Sequence, residues 1–164
     1  MENLLLSEKR YYNVNWNSTY SLGIKIIDDQ HIKIMDFASN LLNETPKNEE
    51  EECEYFKGVI GQVVDYIKIH FATEEGVMLA TRFPGYEEHK KAHEEFILTV
   101  VKSIKDYEAG NRQVLVNFSN YTKKWVLTHI TLLDVKYIEY FKRITIRKKD
   151  VKMYIRGLEV VPIF

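Results

Sequence analysis

Residues 70–74 read His-Phe-Ala-Thr-Glu, and residues 89–93 read His-Lys-Lys-Ala-His. Consecutive residues of an α-helix are turned by about 100°, so side chains four positions apart lie within about 40° of each other on one face. If both stretches are helical, the first presents an imidazole with a carboxylate and the second presents two imidazoles. Imidazole is the commonest metal ligand in proteins. The two stretches therefore predict a metal site between facing helices of a bundle.

The remaining histidines also fall on helical patterns. The chain has five histidines; His31 lies on an apolar stripe of helical spacing, and His129 lies in a long helical stretch further along the chain. With Glu74 and Asp134, the set comprises five imidazoles and two carboxylates. A single zinc ion takes four ligands, so the set suits two metal ions that share bridges.

The composition indicates one globular domain. With 164 residues, 45% of them hydrophobic and 29% charged, the chain is long enough to bury a substantial core. Its net charge of −1 gives no electrostatic basis for binding nucleic acid or an anionic membrane. Neither a signal peptide nor an apolar run of about 20 residues is found, and the single cysteine, Cys53, fits a reducing compartment. We therefore expect a cytoplasmic protein.

Only seven glycines and three prolines occur, which favours long helices. Apolar residues at helical spacing predict four of them, joined by short loops. This pattern predicts an all-α fold, an up-down-up-down four-helix bundle. The predicted helices cover about 24–42, from the acidic run at 49–52 onward, from the turn at 83–85 to Gly110, and about 113–142.

Two end segments lie outside the predicted bundle of about 24–142. The N-terminal arm, 1–23, has no clear periodicity and contains Trp16. In the C-terminal extension, 143–164, apolar and polar residues alternate weakly, which leaves a short strand pair and a further helical turn both open. We expect the extension to add packing; the alternatives are oligomerisation and contact with a protein partner.

The spacing of His129 and Asp134 does not suit one face of a regular helix. Five positions of an α-helix leave the two side chains about 140° apart. They can converge if the metal centre is broad enough for both to reach it, or if the helix contains a local wide turn. Burying a carboxylate without a partner costs several kcal/mol, so Asp134 within an apolar run is itself an argument for a bound cation.

These motifs resemble those of the hemerythrin family, in particular its bacterial members. The resemblance rests on HIKI at 31–34, HFATEE at 70–75, HKKAH at 89–93 and HITLLD at 129–134, and covers roughly residues 16–141. It implies reversible O₂ binding at a non-haem pair of iron ions, for oxygen transport or storage, with no catalysis. Carried over by position, it assigns the iron ligands His31, His70, Glu74, His89, His93, His129 and Asp134.

The resemblance also divides the ligands between the two ions. It gives His89, His93 and His129 to one iron, and His31 and His70 to the other. It makes Glu74 and Asp134 bridges, together with an oxo or hydroxo group. The two-histidine iron is then one ligand short, and this vacancy is where the resemblance places O₂.

Oxygen carriage needs a dry pocket, because water and protons promote the release of reduced oxygen and leave ferric iron behind. Apolar side chains next to the ligands fit this role, although each also suits ordinary core packing. Trp16 and Tyr137 are candidates for a layer behind the ligands, with Tyr137 as a hydrogen-bond donor to a carboxylate. The candidate pocket residues are Phe71, Trp125, Val126 and Ile130.

Of three other interpretations, the sequence argues against one and leaves two open. A ferritin-like oxidase would carry Glu-x-x-His pairs, and no glutamate stands three residues before any histidine here. The same bundle could instead sense O₂ or iron, reduce peroxide or store iron. A purely structural bundle would bind no metal, and iron analysis would separate it from the others.

Overall fold

The computed structural model describes residues 16–40 and 47–147, with side chains described as far as Ile144. Nearly all of this part is helical, and the all-α prediction is confirmed. Its last three elements, from Val114 to Arg147, follow one another without a break and form a single rod. The elements are a 3₁₀ turn (Ser18–Tyr20), α1 (Lys25–Asn40), α2 (Glu49–Thr81), α3 (Tyr86–Glu108), α4 (Val114–His129), the π-helical segment (Ile130–Asp134) and α5 (Val135–Arg147).

The structure is an antiparallel bundle of four rods, which are α1, α2, α3 and the continuous rod of α4 and α5. Helix α1 packs against α2 and α4, while α3 packs against α2 and α4, so each rod has a sequence neighbour on one side, as in up-down-up-down topology. Short connections between α2 and α3 and between α3 and α4 require this alternation of direction.

The ends of α2 show why the helix covers these residues. Asn48 caps its start, because the side-chain oxygen accepts a hydrogen bond from the Glu51 amide at 2.9 Å. The acidic run at 49–52 lies in the first turn, where negative charge complements the helix dipole. At the other end Arg82 takes a left-handed conformation with φ of 55°, and the Phe83 amide closes back on the Met78 carbonyl at 2.9 Å.

Two apolar clusters fill the bundle on either side of a polar layer. One cluster joins α2, α3 and α4 around Phe56, Phe96 and Phe118. The other joins the beginning of α1, the end of α2 and α5 around Ile27 and Met78. On α2 and on the fourth rod the candidate ligands lie between residues of these two clusters, so the polar layer has apolar side chains on both sides.

The fourth rod is longer than predicted. Its helical backbone continues past Lys142 to Arg147, so Ile144 belongs to a helix and not to a strand. The remainder of the C-terminal extension and residues 1–15 of the N-terminal arm lie outside the described residues. So do residues 41–46, which cover the end of the first predicted helix and most of the predicted break at 43–48. Within the described ranges no helix combines the length and apolar character needed to cross a bilayer.

Candidate metal centre

The structure brings all the candidate ligands together in the polar layer. Each is buried, with no more than 3% of its surface exposed. They form two overlapping groups whose ligand atoms lie within 4.8 Å of one another, with Glu74 common to both. The first group is Glu74, His89, His93 and His129, and the second is His31, His70, Glu74 and Asp134.

Glu74 directs its two oxygens to different histidine groups. Its position one turn after His70 on α2 places its carboxylate in the middle of the layer. Oε1 lies 3.5 Å from Nε2 of His70 and 3.7 Å from Nε2 of His31. Oε2 lies 3.2, 3.5 and 3.8 Å from the Nε2 atoms of His93, His89 and His129 respectively.

Asp134 spans the same two groups from the opposite side. Its Oδ1 lies 3.2 Å from Nε2 of His129 and 3.4 Å from Nε2 of His89, while its Oδ2 lies 3.2 Å from Nε2 of His31. The π-helical segment makes this possible, because residues five apart become neighbours along its axis. Of the two ways in which His129 and Asp134 could converge, the wide turn is the one observed.

The polar atoms of the layer fit a cation better than they fit one another. Within the described part of the chain, Nε2 of His31 and of His89, Oε2 of Glu74 and both oxygens of Asp134 have no hydrogen-bond partner. Buried atoms of this kind are rarely left unpaired. Nε2 of His93 and Nε2 of His129 also face each other at 3.0 Å, an arrangement that two lone pairs tolerate only with a proton or a metal ion between them.

The protonation states of the metal-free cluster agree with this interpretation. Burial alone would raise the pKa of Glu74, yet the surrounding imidazoles hold it well below its usual range. Burial alone would lower the pKa of His31, but its contacts with Asp134 and Glu74 raise it to about 9. Burial lowers the pKa of His70 to about 3. Without a metal, Glu74 therefore keeps its charge and His31 holds a proton, where a cation would serve in its place.

Comparison with known proteins agrees with this geometry. Residues 22–140 match the family model described as "Hemerythrin HHE cation binding domain". The chain belongs to the hemerythrin family. Its similarity to "Hemerythrin subunit 1" of Golfingia vulgaris is 30% identity, covering 74% of this chain and 88% of that protein. Similarity to "Bacteriohemerythrin" of Pseudomonas paraeruginosa is 32% identity over 76% and 78% of the two chains, and to that of Clostridium acetobutylicum 28% over 76% and 98%.

Aromatic side chains pack on the three-histidine side of this hemerythrin-family site. The ring of Phe71 stacks on that of His93 with centroids 3.7 Å apart, and the ring of Trp125 stacks on that of His129 at 4.1 Å. The rings of Phe71 and Trp125 approach each other at 5.7 Å. They enclose the histidine rings and separate them from solvent.

Aliphatic side chains lie on the side of α1, the helix that carries His31. Val126 and Ile130 belong to a cluster with Ile34, Met35 and Ala38. Trp16 is partly buried and packs on the outside of this same cluster. Its place in a layer behind the ligands, and the pocket role of its apolar neighbours, remain interpretations of the sequence.

Tyr137 lies behind Glu74, where the sequence suggested a donor to a carboxylate. Its hydroxyl donates to Oε1 of Glu74 at 2.9 Å, and the side chain is 1% exposed. Burial, together with the charges of Glu74 and Asp134, raises the pKa of Tyr137 well above its usual value. The phenol therefore stays protonated and remains a donor.

Sequence reasoning missed three side chains that touch the ligand histidines. Oε1 of Gln30 lies 3.0 Å from Nδ1 of His70, and the ring of Tyr66 stacks on the same imidazole at 4.8 Å. Oε1 of Glu75, the residue after Glu74, lies 3.0 Å from Nδ1 of His93. Gln30 and Glu75 are each adjacent in sequence to a candidate ligand. A polar residue in such a place is turned about 100° from the ligand and can reach the neighbouring helix, so its position was the available signal.

Proposed function

We propose that this chain holds two iron ions in the polar layer and binds O₂ reversibly, as a carrier or store of oxygen. The observation that carries the proposal is that each buried carboxylate offers one oxygen to each histidine group, which is how a bridge between two ions must be placed. Under this proposal His89, His93 and His129 hold one ion and His31 and His70 the other, with Glu74 and Asp134 shared. The family model's description as cation binding and the relatives named hemerythrin and bacteriohemerythrin support it.

An iron pair held by these residues would supply the electrons needed for reversible O₂ binding. The chain's own residues would determine the ligand geometry and the dryness of the site. The side with two histidines offers one ligand fewer, so an ion held there would keep one coordination position for a small external ligand. Tyr137 holds Glu74 in place, and the apolar side chains around the layer exclude water.

The proposal is tested by metal analysis together with optical spectra. Protein loaded anaerobically with Fe²⁺ is expected to hold about two iron ions per chain, to develop a visible absorption band in air and to lose it under vacuum, over repeated cycles. Fewer than two ions, or a colour change that vacuum does not reverse, would contradict the proposal. Steady consumption of peroxide with a reductant would favour the peroxide-reducing alternative instead.

A pair of variants distinguishes loss of the metal centre from a general effect on the fold. Glu74→Ala removes a proposed bridge and is expected to abolish both the full iron content and the reversible spectrum, because a structure that loses a shared ligand leaves its remaining buried charges unpaired. Glu94→Ala is the matched control, because its side chain is 60% exposed and lies next to His93 in sequence. It is expected to retain both properties.

We also propose a cytoplasmic location. The single cysteine, Cys53, is a free thiol, which agrees with a reducing cytoplasm. The proposed small-molecule partner is O₂. Oligomerisation or partner binding through the C-terminal extension stays a prediction, which a mass measurement of the protein in solution tests.

A further inference from the structure

Two of the ligand histidines are held from behind by side chains of different charge. Nδ1 of His93 faces a carboxylate oxygen of Glu75 at 3.0 Å, and Nδ1 of His70 faces the amide oxygen of Gln30, also at 3.0 Å. His93 belongs to the three-histidine group and His70 to the two-histidine group. The geometry of the two supports is alike, so what distinguishes them is that one is an anion and the other is neutral.

A short network fixes the orientation of Gln30. The Thr73 hydroxyl donates to the Ile69 carbonyl at 2.7 Å, so its oxygen is left to accept the Gln30 amide N–H, which lies 3.2 Å away. The amide oxygen of Gln30 must then face His70. His70 therefore carries its proton on Nδ1, and the lone pair of its Nε2 points into the polar layer.

The charge of such a support changes how well an imidazole binds a metal ion. A carboxylate that accepts the Nδ1 hydrogen pulls on that proton and increases the electron density at Nε2, whereas a neutral amide does so less. We propose that Glu75 and Gln30 are positioning residues that make the two metal subsites unequal, Glu75 tightening the subsite of His89, His93 and His129. Three imidazoles against two favour the same subsite, and the charge of Glu75 adds to that difference. This inference rests on the proposed two-metal centre.

The test uses Co²⁺ as the probe, added stepwise to the metal-free protein under argon in competition with a chelator of known affinity. The unaltered protein is expected to bind two ions in a tighter and a weaker step. Glu75→Gln keeps a hydrogen-bond acceptor but removes its charge, and is expected to weaken the tighter step by about 10–100-fold while changing the weaker step by less than about threefold. Gln30→Glu is expected to strengthen the weaker step.

The double variant Glu75→Gln with Gln30→Glu provides the matched control. It preserves the net charge, so a general field effect on the whole centre cancels, while effects specific to each subsite move the two affinities in opposite directions. Thermal unfolding of each metal-free variant measures any purely structural effect, which would lower both affinities together.

The outcomes are distinct. Equal loss of both affinities in Glu75→Gln, no loss at all, or a single step with equal sites in the unaltered protein would each overturn the inference while leaving the metal centre in place. Binding of fewer than about two Co²⁺ ions by the unaltered protein would overturn the proposed centre itself, and this inference with it.

Discussion

At the scale of single residues, the centre depends on how buried carboxylates are kept charged. Glu74 is fully buried, and a carboxylate in such a place needs several hydrogen bonds or a cation. In the described structure its Oε1 has one neutral donor, Tyr137, while its Oε2 has no hydrogen-bond partner. Tyr137 therefore occupies one lone pair of Oε1, while the second lone pair of that oxygen and the whole of Oε2 are left for cations.

We predict that Tyr137→Phe weakens metal binding about 10–100-fold, as substitutions behind metal ligands commonly do. It should also lower the free energy of unfolding by about 1.5–3 kcal/mol, because a hydrogen bond to a charged group is lost. Chelator competition and chemical denaturation measure the two effects. Tyr140→Phe removes the same atom from a hydroxyl that reaches the Arg82 carbonyl at 3.3 Å on the surface, and is expected to change neither. Equal effects of the two substitutions would show that the hydrogen bond to Glu74 contributes no more than the surface hydrogen bond of Tyr140.

At the scale of elements, hydrophobic periodicity was sufficient to predict the helices, but it could not predict that one helix contains a widened turn. Apolar residues at helical spacing on α2, among them Phe56, Val63 and Ile67, are buried, because apolar burial dominates the orientation of a helix. From the sequence, the wide turn before Asp134 was one of two alternatives, because the contacts that stabilise it are made with other helices and leave no local pattern. The role of Glu75 was missed for the same reason: its partner, His93, lies on another helix.

The π-helical segment leads to a prediction about chain length. It contains Leu132, which is 61% exposed, so this residue adds length without filling the core. Deleting Leu132 would leave His129 and the aspartate four positions apart, within about 40° on a regular α-helix. We therefore expect the deletion variant to retain its metal content and to melt within a few degrees of the unaltered protein.

Deletion of Thr128 is the control for this prediction. Thr128 is also exposed, but it precedes His129, so its loss turns that histidine by about 100° relative to α4. Metal content should then fall below two ions per chain. If the Leu132 deletion loses metal to the same extent, the wide turn must determine more than the spacing of the two ligands. Metal analysis and circular dichroism decide between these outcomes.

At the scale of the whole molecule, the polar layer is the point where all four rods meet. His31 comes from α1, His70 from α2, His89 from α3 and His129 from α4, while apolar clusters occupy the bundle on both sides. A bundle with charged groups at its centre loses hydrophobic burial there. Metal ions bound at this layer would join every rod to every other and offset that loss.

We therefore predict that removing metal destabilises the entire fold and not only one end of it. An ion that binds only the folded state, present at 100 times its dissociation constant, contributes about 2.7 kcal/mol, so two ions contribute about 5 kcal/mol. For a chain of this size each kcal/mol corresponds to about 2–4 °C, so chelation should lower the melting temperature by roughly 10–20 °C, in one cooperative transition followed by calorimetry. Glu74→Ala, which already lacks a proposed bridge, should respond much less to the chelator. A chelator effect of equal size in that variant would mean that the stabilising ions bind elsewhere.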